Sequence, residues 1–144
     1  IDELNSIIGI LLTEKLPEDK KIILEKVQHD LFDIGGELSI PNHLKIDDKK
    51  IDFLENKLDT MNDELDSLKE FILPGGSKAS SYCHLARTVC RRVERNLFNL
   101  AQTDKVNEAS LKYINRLSDM LFVLARFLNK INNFNDVFWK KDSK

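Results

Sequence analysis

Residues 71–95 combine a helix-breaking turn with a long amphipathic segment, FILPGGSKASSYCHLARTVCRRVER. Pro74-Gly75-Gly76 cannot lie inside a helix, because proline lacks a backbone donor and glycine carries a high backbone entropy cost. After this turn, apolar or small side chains recur at steps of three and four residues, which predicts a buried stripe on one helix of about 25 residues. The stripe comprises Cys83, Ala86, Cys90, Val93, Leu97 and Leu100.

Three charged residues of this helix are expected beside the stripe. At about 100° per residue, Arg87, Arg91 and Glu94 fall together, roughly 60–120° around the helix from the buried face. Long cationic side chains at that position are partly desolvated, whereas Arg92 is turned to the opposite face. Such a group is more often a salt-bridged helix surface than a ligand site. The functional interpretation is that guanidinium groups bind a polyphosphate through bidentate hydrogen bonds.

Four further segments show helical spacing. They run from residue 2 to about residue 14, from Pro17 to Gly35-Gly36, from near Asp47 through Leu68, and from about Asn107 to Lys130. No stretch of useful length alternates apolar and polar residues, so strands are not predicted. The fold class is therefore all-α, an up-and-down bundle of about five helices in a single domain, 1–144. The expected core includes Leu4, Ile7, Ile8, Leu11, Leu24, Val27, Leu31, Ile34, Ile51, Leu54, Leu58, Met61, Leu65, Leu68, Ile114, Leu117, Leu121, Leu124 and Leu128.

Composition excludes several classes of function. Charged residues make up 32% of the chain and the formal net charge is −2, so no nucleic-acid footprint is present. No apolar run approaches the length of a membrane span. Cys83 and Cys90 are seven residues apart on one helix, about 10 Å, which is too far for a disulfide. We expect two buried thiols in a reducing compartment and a cytoplasmic protein.

Familiar catalytic motifs are absent from the sequence. A di-iron carboxylate site needs Glu-x-x-His on two helices, and none of the three histidines follows a glutamate at that spacing. We expect His84 to be a rim or packing histidine. There is no Gly-x-Ser-x-Gly, no phosphate-binding glycine loop and no protein metal site. An enzyme built on this chain would work by positioning and electrostatics, with a reactive partner supplying the chemistry.

The last predicted helix carries a second stripe beside its core face. Asn115, Asp119, Phe122 and Arg126 follow at steps of four, three and four, so they share one face. A phenylalanine among polar residues on such a face suggests a ligand or a protein interface. The tail after this helix adds aromatic side chains that must pack on the bundle or on a neighbouring subunit.

Three blocks in this order, FILPGGS, HLARTVCRRVER and YINRLSDMLFVLAR, together with DELNS and LFDIGGEL, resemble the PduO-type ATP:cob(I)alamin adenosyltransferases. The resemblance implies transfer of the 5′-deoxyadenosyl group of ATP to cob(I)alamin, with release of triphosphate and commonly with Mg²⁺. It implies a homotrimer with sites between subunits, a corrinoid that loses its lower axial ligand on binding, and hand-off of product to an adenosylcobalamin-dependent enzyme. It brings no nucleic-acid or membrane partner.

The resemblance also assigns residues. It implies that Arg91 and Phe71 are the catalytic residues and that Asp2 pairs with Arg87 across a subunit boundary. Phe71 would close off the lower corrinoid face. The residues implied for ATP binding are Arg91, Arg92, Glu94, Arg95 and Asn115. Those implied for corrinoid binding are Phe71, Phe122, Val137 and Phe138.

One departure from the family pattern concerns the beginning of the chain. The family's glycine-rich nucleotide-binding segment lies before DELNS, and this sequence starts at Ile1. We expect that segment to precede Ile1 in the working protein. The alternative function, from another class, is a non-catalytic helical-bundle interaction protein or a corrinoid carrier.

Overall fold

The computed structural model describes residues 1–142 and contains five α-helices. The helices are α1 (Asp2–Leu12), α2 (Glu18–Ser39), α3 (Asp48–Asn62), α4 (Lys78–Leu100) and α5 (Glu108–Ile131). Residues 1–142 include no strand beyond one isolated antiparallel bridge, between Ile72 and Phe138. The all-α prediction is confirmed. None of the helices in this described part is long and apolar enough to cross a membrane.

Side-chain caps fix where three of the helices begin. Asp47, Ser77 and Asn107 precede α3, α4 and α5, and each side chain accepts a hydrogen bond from a backbone N–H of the first turn. Such caps satisfy donors that a helix start leaves free. Pro17 precedes α2, and two acidic residues occupy the first turn, where the helix dipole favours negative charge.

The predicted end of α2 at Gly35-Gly36 is wrong, because the helix continues to Ser39. Two glycines cost a helix about 1 kcal/mol each, which tertiary contacts can offset. Those contacts come from Glu37, one residue beyond the glycines. Its carboxylate accepts hydrogen bonds from the backbone of the α2–α3 connection and from the side chains of Asn107 and Ser110 on the α5 side. The helix must reach Glu37 to form this network.

The third helix is shorter than its apolar pattern predicts. It ends at Asn62, so Leu65 and Leu68 lie in the following loop, where both are half-buried. Backbone carbonyls of this loop are used by α5 side chains: Lys130 donates to the carbonyl of Glu64, and Arg126 donates to that of Asp66. These tertiary hydrogen bonds replace the ones that another helical turn would make.

The core is one contiguous cluster that draws on all five helices. α5 packs against α3 and α4, and α1 packs against α2 and α4. The core residues that the sequence predicts are buried, with four exceptions: Leu58, Leu65 and Leu68 are half-buried, and Leu100 is 39% exposed at the end of α4. Cys83 and Cys90 are free thiols inside this core, as predicted, and burial raises the pKa of each well above its ordinary value.

The Pro-Gly-Gly turn directs the chain into α4. Gly75 and Gly76 have φ values of 149° and 105°, which L side chains rarely adopt. A Cβ on Gly76 would lie 2.2 Å from Oδ1 of Asn129. The Asn129 amide accepts from the N–H of Ser77 and donates to the carbonyl of Gly75, so the turn is fastened to α5 immediately before α4 begins.

Candidate functional site

Three arginines form a row along one face of α4. Arg87, Arg91 and Arg95 are four residues apart, so consecutive members stand about 6 Å apart along the axis. Arg87 is half-buried, and the other two are exposed. Within residues 1–142 none of the three has a carboxylate at ion-pair distance. A salt-bridged helix surface therefore does not describe this face, and its guanidinium groups are available to a ligand.

The neighbouring Arg92 differs from the row. It points to α1, where its guanidinium pairs with the carboxylate of Glu3. The sequence predicts this separation from Arg91, because adjacent helical residues are about 100° apart. Arg92 thus lies on the α1 side of α4, away from the row.

A polar contact links α5 to the arginine row. The side-chain amide of Asn115 donates a hydrogen bond to Oε2 of Glu94, which lies about one helical turn after Arg91 and directly before Arg95. Asn115 is exposed and Glu94 is half-buried. Arg91, Glu94, Arg95 and Asn115, which we call the polar patch, therefore share one surface formed by α4 and α5.

A cavity with a partly apolar wall lies at the N-terminal side of this patch. It has a volume of about 510 Å³ and lies between the α3–α4 loop and the two longest helices. Arg87 belongs both to the arginine row and to the cavity wall, where its guanidinium lies 5.9 Å from the ring centre of Phe122. The cavity and the row are therefore adjacent. The lining residues are Leu68, Lys69, Glu70, Phe71, Ile72, His84, Arg87 and Phe122.

His84 is a neutral, buried member of this wall. It is 3% exposed, and its ring packs edge-on against Phe122 with the centroids 6.2 Å apart. Nδ1 accepts a hydrogen bond from Nε of Arg87 at 3.4 Å, which places the ring proton on Nε2. Burial, reinforced by the Arg87 charge, lowers the pKa of His84 to about 4. The predicted packing role fits this position, although His84 is buried at the cavity and not at its rim.

The sequence match to known proteins covers nearly all of the chain. A family model described as "Cobalamin adenosyltransferase" matches residues 1–128. This chain belongs to the cobalamin adenosyltransferase family. The resemblance and the bundle fold that the sequence predicts are both confirmed.

Curated relatives and solved structures agree with this assignment. A cobalamin adenosyltransferase of Cupriavidus metallidurans is 51% identical over 143 residues, covering 99% of this chain and 78% of that protein. A corrinoid adenosyltransferase of Bacillus subtilis is 41% identical over 150 residues, with coverage of 99% and 78%. A variant PduO-type ATP:corrinoid adenosyltransferase from Lactobacillus reuteri, complexed with cobalamin and ATP, has a TM-score of 0.89 and 33% identity, covering 97% of this chain and 82% of that one.

The residues that the family resemblance implies fall into two neighbouring groups and four outliers. Phe71, Phe122 and Arg87 line the cavity, and the polar patch adjoins it. Val137 and Phe138 do not line this cavity. They pair with the loop beside it, and Phe138 lines a second cavity next to Arg126. The third outlier, Asp2, lies exposed in the first turn of α1, and its pairing with Arg87 across a subunit boundary stays a prediction. The fourth is Arg92, which pairs with Glu3 on the α1 side, and its implied role in ATP binding also stays a prediction.

The structure adds residues that the sequence analysis did not assign to the site. Ile72 and Leu68 complete the apolar wall, and Trp139 packs edge-on against Phe71 with ring centroids 6.5 Å apart. The burial of the Arg126 side chain also differs from the prediction. It is 7% exposed and pairs with Asp136 in place of lying on an open face. The loop and tail positions follow no periodic pattern, so only the tertiary structure reveals them.

Proposed function

We propose that the arginine row and the cavity form one site, at which this chain transfers the 5′-deoxyadenosyl group of ATP to cob(I)alamin and releases triphosphate. Adenosyl transfer to a corrinoid is the activity of the family to which the chain belongs. The observation that carries the residue assignment is Arg87, which joins the cavity to a row of arginines that have no carboxylate partner in the described part of the chain. Two substrates of opposite character, a polyphosphate and a large corrinoid, fit two such adjacent surfaces.

One bond to C5′ forms in the reaction and one bond to C5′ breaks. The lone pair of Co(I) attacks C5′ of ATP and forms the cobalt–carbon bond. The C5′–O bond breaks, and its electron pair leaves with triphosphate, so the cobalt is oxidised formally from Co(I) to Co(III). Negative charge therefore grows on the leaving group. Arg91 and Arg95 supply positive charge, because neither forms an ion pair with a carboxylate within residues 1–142, and this charge stabilises the growing negative charge.

Apolar surface serves the other substrate. Cob(I)alamin is strongly reducing and must be kept from water and from competing proton donors. Phe71, Ile72 and Phe122 present hydrocarbon to the cavity, and His84 is neutral at pH 7 because its pKa is lowered to about 4. We assign Phe71 to the lower corrinoid face, where an apolar ring disfavours an axial ligand and makes Co(I) easier to form. The roles of Val137 and Phe138 beside this ring stay part of the proposal.

The polar patch also suits a magnesium ion that arrives with ATP. Mg²⁺ in nucleotide sites uses one or two protein carboxylates together with the phosphates and water. Glu94 is a carboxylate within the patch, held by Asn115, and it would provide that ligand. Among residues 1–142 no group of three or more His, Cys, Asp or Glu side chains forms a metal cluster of its own. Mg²⁺ would neutralise phosphate charge alongside Arg91.

The assembly belongs to the same proposal. Phe71 is 79% exposed and Arg87 is half-buried without a carboxylate partner in the described chain, so each has an open side that a second copy can cover. We take residues 1–144 as one helical domain that forms a homotrimer, with Asp2 of one subunit pairing with Arg87 of the next. Two free buried cysteines fit a reducing compartment, the cytoplasm, where an adenosylcobalamin-dependent enzyme would accept the product.

The test is an anaerobic assay with the full-length gene product, ATP, Mg²⁺ and chemically reduced cobalamin, followed by absorbance. Adenosylcobalamin should form with one triphosphate per turnover. Arg91→Ala should lower kcat/KM by a factor on the order of 10²–10³, the loss typical for one transition-state charge contact. Lys49→Ala, which removes an exposed charge on α3, is the matched control and should retain the wild-type rate. Corrinoid binding without turnover in the wild type would instead support the carrier alternative.

A further inference from the structure

Phe71 is held in place by the tail and not by the core. The residue is 79% exposed and lies on a loop, so burial alone does not fix the orientation of its ring. The backbone N–H of Trp139 donates to the carbonyl of Phe71 at 2.7 Å, and the N–H of Leu73 donates to the carbonyl of Val137 at 2.7 Å. These two bonds flank the bridge between Ile72 and Phe138. The Trp139 ring then packs edge-on against the Phe71 ring.

The tail itself is fastened by a buried ion pair. Nε of Arg126 donates to Oδ2 of Asp136 at 3.0 Å, and Nη2 of the same guanidinium donates to the carbonyl of Asp66 at 2.8 Å. The side chains of Arg126 and Asp136 are 8% and 17% exposed. One arginine on α5 therefore holds both chain segments that frame Phe71, the α3–α4 loop on one side and the tail on the other.

The chemistry of this pair favours a positioning role. A desolvated ion pair contributes little net stability, but removing one partner leaves a buried charge unpaired, so the pair enforces one geometry. Oδ1 of Asp136 is buried and has no hydrogen-bond partner within residues 1–142, so the carboxylate makes its described contact only through Arg126. Trp139 is 47% exposed, so its loss leaves the helical core intact.

We propose that residues 136–139 act as a clamp that sets the position of Phe71 against the corrinoid, with Asp136 and Trp139 as positioning residues. The inference rests on the proposed function, since it assigns these residues to the corrinoid side of that site. Within residues 1–142 no hydrogen bond, ion pair or aromatic contact joins the clamp to the polar patch. Loosening it should therefore impair the corrinoid half of the reaction and spare the ATP half.

The first test compares Trp139→Ala with Phe134→Ala, a tail aromatic of similar exposure that does not pack on Phe71. Trp139→Ala should lower kcat by about tenfold or more, because a small displacement of a positioning group is costly, while KM for ATP changes less than about twofold. The spectrum of bound cob(II)alamin should show a matching loss of the form without a lower axial ligand. Phe134→Ala should keep the wild-type kcat and spectrum.

A double variant separates positioning through Phe71 from a direct role of Trp139. If Trp139 acts by placing Phe71, then Phe71→Ala with Trp139→Ala should be no slower than Phe71→Ala alone, since the second change has nothing left to misplace. Multiplied losses would overturn the inference. So would a Trp139→Ala protein that matches Phe134→Ala in rate and spectrum, or one whose KM for ATP rises as much as its kcat falls.

Hydrogen exchange tests the clamp without any substrate. Asp136→Asn keeps the shape of the side chain and removes the charge that Arg126 pairs with. It should speed exchange of the Leu73 and Trp139 amides by about tenfold or more and leave the α4 and α5 amides unchanged. Unchanged exchange at Leu73 would overturn the clamp. If the wild type forms no adenosylcobalamin, the proposed function fails, and with it the catalytic role of the clamp, whatever the exchange result.

Discussion

Two charged regions of the bundle have opposite designs. Between α2, α3 and α5, Asp30 is 1% exposed and accepts hydrogen bonds from Lys50 and from the hydroxyl of Tyr113, a cluster we call the internal polar cluster. On α4, Arg87, Arg91 and Arg95 have no carboxylate partner within residues 1–142. The charges of the internal polar cluster are paired within the fold, whereas the guanidinium groups of the arginine row are available to a ligand.

The contrast shows why these two regions respond differently to substitution. A buried carboxylate whose partners lie in the same chain is costly to remove, because the partners stay behind unpaired. Removing an exposed guanidinium that has no partner changes the free energy of unfolding very little. Stability and activity should therefore separate cleanly between the internal polar cluster and the arginine row.

The largest loss of stability is expected from Asp30→Ala. It leaves the Tyr113 hydroxyl buried without an acceptor and removes the closest partner of Lys50, so the free energy of unfolding should fall by about 3 kcal/mol. Urea unfolding measures the change. Asp33→Ala is the matched control, because Asp33 pairs with the same lysine but is 37% exposed, and it should cost less than about 1 kcal/mol. Equal losses would remove the distinction between buried and exposed partners.

The next-largest effect is the loss of folding stability at low pH that His84 causes. Its pKa in the folded protein, about 4, lies below the ordinary value of 6.5, so the unfolded chain takes up the proton first as the pH falls. The contribution of neutral His84 to the free energy of unfolding is fully present above pH 6.5. It is lost as the pH falls toward 4, by about 2 kcal/mol between pH 6.5 and 4.5. His84→Gln lacks this loss, so the two unfolding free energies should converge as the pH falls. Parallel curves would show that His84 titrates normally.

The smallest stability effect is expected at the arginine row. Arg91→Ala removes an exposed side chain that makes no ion pair in the described chain, so the free energy of unfolding should change by less than about 0.5 kcal/mol. Denaturant unfolding beside Asp30→Ala measures both changes on one scale. A loss at Arg91 as large as at Asp30 would mean that the row supports the fold, contrary to the comparison.

Sequence periodicity predicted the regions where one helix face decides the structure. The core of α4 and α5, the position of Arg91 beside that core and the divergence of Arg92 all follow from 3.6 residues per turn. The continuation of α2 through Gly35-Gly36 did not, because it depends on hydrogen bonds to Glu37 from a distant helix. The clamp of residues 136–139 does not follow from helical periodicity either. Its contacts with the α3–α4 loop join segments about 65 residues apart, which no local pattern predicts.

The most direct test of the central claim compares two adjacent arginines. Triphosphate with Mg²⁺ would be titrated calorimetrically into the full-length wild-type protein, Arg91→Ala and Arg92→Ala. Arg91 has no ion-pair partner among residues 1–142, whereas Arg92 is paired with Glu3. Arg91→Ala should weaken binding about 30-fold or more, and Arg92→Ala by less than about fivefold, because a charge-assisted contact is lost only in the first. Equal weakening, or tight binding by Arg91→Ala, would contradict the assignment of the arginine row to the polyphosphate.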